Sequence, residues 1–274
     1  MHAGERFKSG LKRAARGAMS GPARSREGCS VILTYHSVGA RDHEMNVTPA
    51  AFKEQMKWLA DNARVVSLRD AVEQSAGVAI TFDDGYRDNF TEAAPVLSAF
   101  DLPATIFAVA GRMGDWLDHD VRGEESQLMS WNELSALARA GWTIGTHTMT
   151  HPRLAGLSEA EQRHEIAQCK TTIEAEIGIP VECFAYPFGS ALDFNQTSKS
   201  IVRESGYTFA VSNRYGVNRQ GVDRWTLRRI WIDRSDTLES FRAKVEGRLD
   251  RLAWLDSGVG IRARRFANRL LRAV

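Results

Sequence analysis

The sequence of 274 residues predicts an α/β protein folded as a distorted (β/α) barrel, and three observations support this fold. Apolar strand-like runs alternate with helical patterns about seven times without a linker, which favours parallel strands joined by right-handed crossovers. No glycine-rich nucleotide-binding turn follows any strand, so a closed or nearly closed barrel is favoured over an open sheet. Polar residues follow several strands directly. We therefore expect about seven strands, with the active site at their carboxyl-terminal ends.

The first half of the chain contains the elements that are easiest to assign. Apolar runs ending in turn residues predict strands, and Thr48 followed by Pro49 is a typical helix start. In order, the expected elements are strand 30–35, a helix from Thr48, a short strand near 65–66, helix 68–74, strand 78–82, helix 89–100 and strand 103–109.

The second half continues the alternation after a segment without clear periodicity. Residues 111–128 are predicted to be a long loop. Ser158 and Glu161 form a possible capping box for one of the following helices, and Gly178 would end that helix. The expected elements are helix 131–140, strand 142–146, helix 158–177, strand 182–186, helix 197–205, strand 207–211, strand 224–232 and helix 237–252.

Charge divides the chain into three parts. Residues 1–28 carry seven Lys or Arg against two acids and are predicted to be a basic flexible leader, and residues 258–274 carry five arginines and no acid. The second stretch predicts a basic amphipathic C-terminal helix, which would bind either an anionic membrane or the acidic body of the protein. Residues 29–257 form the expected folded domain, whose net charge is negative although the chain totals +2.

Composition excludes several classes of protein. With 43% hydrophobic residues the chain can form a substantial core, but no stretch of about 20 apolar residues exists. The basic leader is not followed by an apolar segment, so we expect no signal peptide and a cytoplasmic location. The cysteines Cys29, Cys169 and Cys183 form no CxxC pair and are expected to be free thiols. No nucleic-acid partner is expected.

The residues that follow the strands are the candidate functional residues. They are His36, the pair Asp83 and Asp84, His147, and the segment 187–189. In a parallel barrel the carboxyl ends of the strands share one rim, so these residues are expected to face a common site.

Two histidines and two aspartates at that rim predict a metal centre. His147 and His151 are four residues apart, and two imidazoles with one carboxylate can bind a divalent ion while leaving positions open for hydrolysis. One of Asp83 and Asp84 would bind the ion and the other would accept a proton. Taken separately, the aspartates could be a helix cap and a turn residue, and the histidines could be ordinary loop residues.

These motifs resemble those of the polysaccharide deacetylase family, the NodB-homology domains of carbohydrate esterase family 4. The segment 81–85 (Thr-Phe-Asp-Asp-Gly) is similar to the first family motif, and 147–152 (His-Thr-Met-Thr-His-Pro) is similar to the second. The resemblance spans roughly residues 30–235. It implies that Asp83 is the catalytic base and that Asp84, His147 and His151 bind the metal, for which zinc is preferred over cobalt or nickel.

The resemblance also implies an activity. It predicts hydrolysis of an acetyl group from an N-acetylated amino sugar of a polysaccharide, an oligosaccharide or a lipid-linked glycan. A metal-activated water would attack the carbonyl while Asp83 removes its proton, and the metal and a backbone N–H would stabilise the oxyanion. The segment 184–189 resembles the third motif, so Phe188 is the candidate for that N–H. The alternatives are an O-acetyl esterase and a carbohydrate-binding protein that keeps the metal without turnover.

The chain departs from the family pattern at two points. Ala185 stands where an arginine commonly begins the third motif, and no histidine follows His164, so the usual late acid is missing. His36 is our candidate acid or substrate contact, with packing as the alternative. Arg229 could supply the missing charge beside Asp83, or it could pair with a structural acid. We expect His119 to be a solvated loop residue, and Trp116 and Trp131 either to stack on sugars or to belong to the core.

Overall fold

The computed structural model describes residue 23 and residues 25–250, and the structural statements below concern those residues. The predicted C-terminal helix at 258–274 lies outside the described residues. So does most of the predicted leader at 1–28, of which only residue 23 and its last four residues are described.

Seven parallel strands close into a barrel, as predicted. The strands are β1 (Cys29–Tyr35), β4 (Gly77–Phe82), β5 (Ala104–Ala108), β6 (Thr143–Thr146), β7 (Cys183–Ala185), β8 (Phe209–Tyr215) and β10 (Leu227–Trp231). Each of them pairs with the next in this order, and β10 pairs again with β1 to complete the ring. All their carboxyl ends therefore meet at one rim.

Three two-residue strands lie outside this ring and were not expected from the sequence. β2 (Ser37–Val38) and β3 (Asn46–Val47) pair with each other, and β9 (Asn218–Arg219) pairs antiparallel with the start of β1. The predicted strand near 65–66 is only a single bridge from Val65 to Val78. Elements of two residues carry too little hydrophobic periodicity to be recognised in a sequence.

Helices follow most of the barrel strands and cover the outer face. They are α1 (Pro49–Asn62), α2 (Leu68–Gln74), α3 (Ala94–Ala99), α4 (Trp131–Arg139), α5 (Glu159–Arg163), α6 (Cys169–Ile177), α7 (Gln196–Glu204) and α8 (Leu238–Val245). A π turn (Asn89–Ala93) precedes α3, and a second π turn (His164–Gln168) joins α5 to α6. None of the helices in the described part of the chain is both long and apolar enough to cross a membrane.

The last helix ends at Val245, seven residues before the predicted end. Gly247 adopts a left-handed conformation with φ 79°, and the Arg248 N–H donates to the Ala243 carbonyl at 2.9 Å. The Gly247 N–H donates to the Lys244 carbonyl at 3.2 Å. This pair of bonds is the Schellman motif, which ends a helix because a glycine can adopt positive φ without strain.

Side chains alternate between the two faces of each strand. On β1, Val31, Leu33 and Tyr35 pack outward beneath the helices, whereas Ile32 belongs to a second cluster inside the barrel. The remaining members of that inner cluster are Leu68, Ala71, Ala79, Phe107, Cys183, Ala185, Phe209, Val211 and Leu227. Buried polar side chains of Thr34, Thr81 and Arg229 lie above this apolar layer, towards the rim.

Gly145 on β6 has no side chain because the barrel interior has no room for one. A Cβ atom built there would lie 2.4 Å from the Phe107 ring and 2.9 Å from the Cys183 sulfur. Any larger residue would displace these neighbours, since buried cores tolerate little overpacking. This close packing fixes the position of the strand that leads into His147.

Candidate active site

The candidate residues meet in a cleft of about 620 Å³ at the carboxyl-terminal rim. Five of the seven histidines in the chain line this cleft: His36, His43, His119, His147 and His151. Four residues at the rim adopt positive φ angles although they are not glycine, namely Asp84, Thr148, His151 and Phe188. Strained backbone of this kind is concentrated at functional sites.

Asp83 and Asp84 leave β4 in different directions and enter different environments. The Asp83 N–H donates to the Tyr35 carbonyl at 3.0 Å, which extends the pairing of β4 with β1 by one residue. Asp84 then turns to φ 71°. Both carboxylates are almost completely buried, so each must find a compensating charge or proton.

Arg229 provides the compensation for Asp83. Its Nη1 and Nη2 atoms donate to the two carboxylate oxygens at 2.7 and 2.6 Å, and Nη2 also donates to the Asn213 side chain at 2.7 Å. Burial alone would raise the pKa of the Asp83 carboxyl, but the charge and hydrogen bonds of Arg229 hold that pKa below its usual value. Asp83 is therefore ionised and fixed in orientation.

Asp84 has no such partner among the described residues. Neither of its buried carboxylate oxygens accepts a hydrogen bond. Burial, and then the neighbouring charge of Asp83, raises the pKa of the Asp84 carboxyl well above its usual value. A buried acid of this kind needs either a proton or a cation.

The two histidines of the second motif face Asp84. Nε2 of His147 lies 3.5 Å from Oδ1 of Asp84, and Nε2 of His151 lies 3.2 Å from the same oxygen. Nδ1 of His147 lies 2.8 Å from the Ala185 carbonyl, which can only accept, so Nδ1 carries the proton and Nε2 is free to bind a metal. Burial lowers the pKa of both imidazoles, which favours the neutral form that ligates metals.

Glu165 holds the loop that carries these histidines. One carboxylate oxygen accepts the Met149 and Thr150 N–H groups, both at 2.9 Å, and the other accepts the Thr150 hydroxyl at 2.7 Å. Glu165 lies in the π turn between α5 and α6, and such turns are frequent at functional sites. It positions the loop from behind without touching the cleft.

The three residues fit a divalent metal ion. One ligand atom from each of Asp84, His147 and His151 lies within 4.8 Å of the other two. The unpartnered carboxylate of Asp84 and the free Nε2 atom of His147 are the features that a cation would satisfy. One oxygen and two imidazole nitrogens suit zinc and several other transition metals, so the donor set supports a metal without selecting one.

His36 lies beside the Asp83–Arg229 pair. Its Nε2 is 4.0 Å from Oδ2 of Asp83, and its ring packs against Trp231 at a centroid distance of 5.6 Å. Burial lowers the pKa of His36 to about 4, so its imidazole is neutral at pH 7. The structure therefore brings His36 to the site, as expected, between Asp83 and the Trp231 ring.

Phe188 lies beside His151 in the cleft. Its ring packs against His151 with centroids 4.8 Å apart, and the Arg153 guanidinium lies 3.8 Å from the ring centroid. Within residues 25–250, no protein acceptor binds the Phe188 N–H. That N–H remains available to a ligand, which is what an oxyanion donor requires.

Several features of the cleft were not recognised from the sequence. His119 is exposed, as predicted, yet its ring lies 5.3 Å from that of His151 and it lines the cleft. Trp231 lines the cleft, whereas Trp116 and Trp131 do not. The sequence around a residue in a long loop, or at the end of the last strand, does not indicate where that residue lies in the folded protein. The Asp-His-Asp segment around His119 was the only available hint.

Comparison with known proteins agrees with this geometry. A sequence model described as polysaccharide deacetylase matches residues 71–210, about half of the chain. The chain is 28% identical over 224 residues to YxkH of Bacillus subtilis, whose name places it among the polysaccharide deacetylases, covering 78% of this chain and 75% of YxkH. It is 23% identical over 265 residues to the Escherichia coli (strain K12) poly-beta-1,6-N-acetyl-D-glucosamine N-deacetylase.

The E. coli match covers 78% of this chain but only 38% of that enzyme. Among solved structures, the Streptococcus pyogenes deacetylase PplD superposes with a TM-score of 0.69 at 22% identity, covering 79% of this chain and 97% of PplD. This likeness supports the barrel fold. The matched segment contains the aspartate pair and both histidines, and the chain belongs to the polysaccharide deacetylase family.

Proposed function

We propose that this protein is a metal-dependent hydrolase that removes the acetyl group from an N-acetylated amino sugar of a glycan. One observation carries the proposal: the metal-ligand set of Asp84, His147 and His151 adjoins Asp83, which Arg229 keeps ionised. A Lewis-acid site next to a fixed carboxylate base is what hydrolysis of an amide by water needs.

Each step of the hydrolysis has a candidate residue. When bound, the metal would polarise the acetyl carbonyl and acidify a water molecule. Asp83 would accept a proton from the attacking water as the oxygen bonds to the carbonyl carbon. The Phe188 N–H would stabilise the oxyanion, because it is free to donate. Breaking the C–N bond then releases acetate and an amine, which must receive a proton.

His36 is the proposed route for that proton. Because the pKa of His36 is about 4, the resting imidazole is neutral and must first gain a proton before it can act as an acid. Its Nε2 lies 4.0 Å from Oδ2 of Asp83, beyond hydrogen-bond reach, so the proton that Asp83 has accepted would pass only after the two side chains approach or through a bridging water. This arrangement would compensate for the missing late histidine.

We propose zinc as the metal and an amide as the bond that is cleaved. Two imidazoles and a carboxylate are common zinc ligands, with cobalt and nickel as alternatives. The E. coli relative is named an N-deacetylase of poly-beta-1,6-N-acetyl-D-glucosamine, which favours amide over ester substrates. Comparing an N-acetylated with an O-acetylated sugar of equal length would separate the two activities.

The experiment that tests the proposal measures acetate release from N-acetylglucosamine oligomers with added zinc or cobalt. Asp83→Asn should lower kcat at least about 1000-fold while metal content stays the same, because it removes the base but none of the ligands. Asp61→Asn, on the exposed surface of α1, is the matched control. Equal turnover of Asp83→Asn and the natural protein would refute the assigned mechanism.

We also propose that the basic termini contact an anionic membrane. Arg26 pairs with Asp250 at 2.8 Å and donates to the Val245 carbonyl at 2.8 Å, so the two ends of the described part of the chain lie next to each other. Their charges would then act together. The full chain should sediment with phosphatidylglycerol vesicles and not with phosphatidylcholine vesicles, and salt should release it. The cytoplasmic location stays a prediction.

A further inference from the structure

The guanidinium of Arg214 lines the cleft without a carboxylate partner. Arg214 follows Asn213 near the carboxyl end of β8, and both residues line the cleft. Among the described residues, Arg214 forms no ion pair, and its buried Nε has no hydrogen-bond acceptor. A charged donor without an acceptor in the protein is free to bind an anion that enters the cleft.

The other cationic side chains of the cleft are neutralised. Arg153 pairs with Asp193, and Lys244 pairs with Asp236 at 2.5 Å. Arg229, deeper in the barrel, pairs with Asp83. Arg214 therefore differs from its neighbours in exposing an unpaired charge to the ligand space.

Arg228 is a second cation near Arg214, although it is not one of the residues that line the cleft. It lies on β10, next to β8, and its Nη1 donates to the Tyr215 carbonyl at 3.5 Å. Its side chain also covers Gly216, where a built Cβ would lie 2.9 Å from Cδ of Arg228. Arg228 forms no ion pair within residues 25–250. Burial, and then the charge of Arg228, lowers the pKa of Arg214, as expected for adjacent like charges.

The acid that acts most on Arg214 is already engaged. Asp223 binds Lys199 at 2.7 Å, the Trp225 N–H at 3.0 Å and the Thr226 hydroxyl at 3.1 Å. Its charge only partly offsets that of Arg228 at Arg214. Two arginines on neighbouring strands thus have no carboxylate partner, and an anion bound at Arg214 would offset the repulsion between them.

We propose that Arg214, supported by Arg228, forms an anion subsite that binds a phosphate or carboxylate carried by the glycan substrate. Guanidinium groups bind both anions through paired, charge-assisted hydrogen bonds. The inference rests on the proposed function, because it assigns an anionic substituent to the deacetylase substrate. Phosphate would indicate a phosphate-linked glycan, and carboxylate would indicate an acidic sugar.

The test compares three substrates of equal length: an N-acetylglucosamine trimer, its 1-phosphate, and the trimer oxidised to the C1 carboxylate. The natural protein should prefer one anionic trimer over the neutral one by about tenfold in kcat/KM. Arg214→Gln should bring that ratio close to one, and Arg214→Lys should keep part of it. Arg219→Gln, on β9 at the amino-terminal end of β1, removes an equal charge far from the rim and should keep the full ratio.

Binding provides a readout that does not depend on turnover. In metal-free protein, inorganic phosphate should bind about tenfold more weakly to Arg214→Gln and Arg228→Gln than to Arg219→Gln. Unfolding midpoints of all variants identify any misfolded one. Equal phosphate affinities, or an anionic preference that survives Arg214→Gln, would overturn the subsite. Failure of the natural protein to hydrolyse any trimer would instead overturn the proposed function, and the phosphate titration would then decide the subsite alone.

Discussion

Arg229 binds both carboxylate oxygens of Asp83 from inside the barrel, at 2.7 and 2.6 Å. Both side chains are completely excluded from solvent. The arginine lies on the last strand, β10, which is separated from β4 only by β1. Ala185 lies on a different strand, β7. Arg229 thus supplies the charge beside Asp83 that the family resemblance led us to expect from the position of Ala185.

Removing Arg229 should destabilise the fold through Asp83. In Arg229→Met the carboxylate is left buried and unpaired, so the free energy of unfolding should fall by about 3–5 kcal/mol. The double variant Asp83→Asn with Arg229→Met should lose less unfolding free energy than the sum of the losses in the two single variants, because it leaves no unpaired ion buried. Urea unfolding of all four proteins measures this coupling. Additive losses would show that the pair does not act as a unit.

Asp84 should link metal binding to stability. A metal present at about 100 times its dissociation constant stabilises the folded state by about 2.7 kcal/mol, so EDTA should lower Tm by about 5–10 °C. In Asp84→Asn this shift should nearly vanish. In EDTA the variant should unfold at a higher temperature than the natural protein, because the amide removes a buried charge next to Asp83.

Thermal unfolding with and without EDTA, together with metal content, checks this prediction. Asp61→Asn is the control and should keep the full EDTA effect, since Asp61 is exposed on α1. An undiminished EDTA effect in Asp84→Asn would mean that the stabilising ion binds elsewhere.

The sequence predicted the barrel and the grouping of the candidate metal ligands at its rim because both depend on local patterns. Buried apolar runs identified the strands, and a parallel barrel necessarily brings the residues that follow them to one rim. His36, Asp83, Asp84, His147 and Phe188 were placed by that rule, and the structure brings them together with His151.

Other parts of the site depend on contacts between distant residues. The Arg229–Asp83 pair spans 146 positions, and only the closure of β10 onto β1 makes it possible. Two interpretations of Arg229 were therefore open from the sequence alone. The cleft positions of His119 and Trp231 could not be predicted for the same reason, since no periodic pattern encodes where a loop or a strand end finally lies.

Glu165 should control metal affinity from outside the metal centre. It accepts three hydrogen bonds from Met149 and Thr150, which lie between the two histidine ligands. Glu165→Ala should weaken metal binding about 10–100-fold, because supporting residues fix the orientation of the ligands. Competition with a chelating dye measures the affinity. Glu176→Ala, at an exposed position on α6, is the matched control, and an equal affinity of both variants would exclude the positioning role.

His36 should make the stability of the metal-free protein depend on pH. Its folded pKa of about 4 lies below the ordinary value of 6.5, so the folded state disfavours the protonated imidazole. The contribution of neutral His36 to the free energy of unfolding is therefore complete above pH 6.5 and is lost as the pH falls towards 4. The difference between the two pKa values corresponds to about 3 kcal/mol.

His36→Asn should consequently lose less unfolding free energy between pH 7 and pH 4 than the natural protein, measured by urea unfolding in EDTA. His164→Asn, exposed on the protein surface, should retain the natural pH dependence, and if His36→Asn retains it too, then His36 is protonated in the folded state without cost.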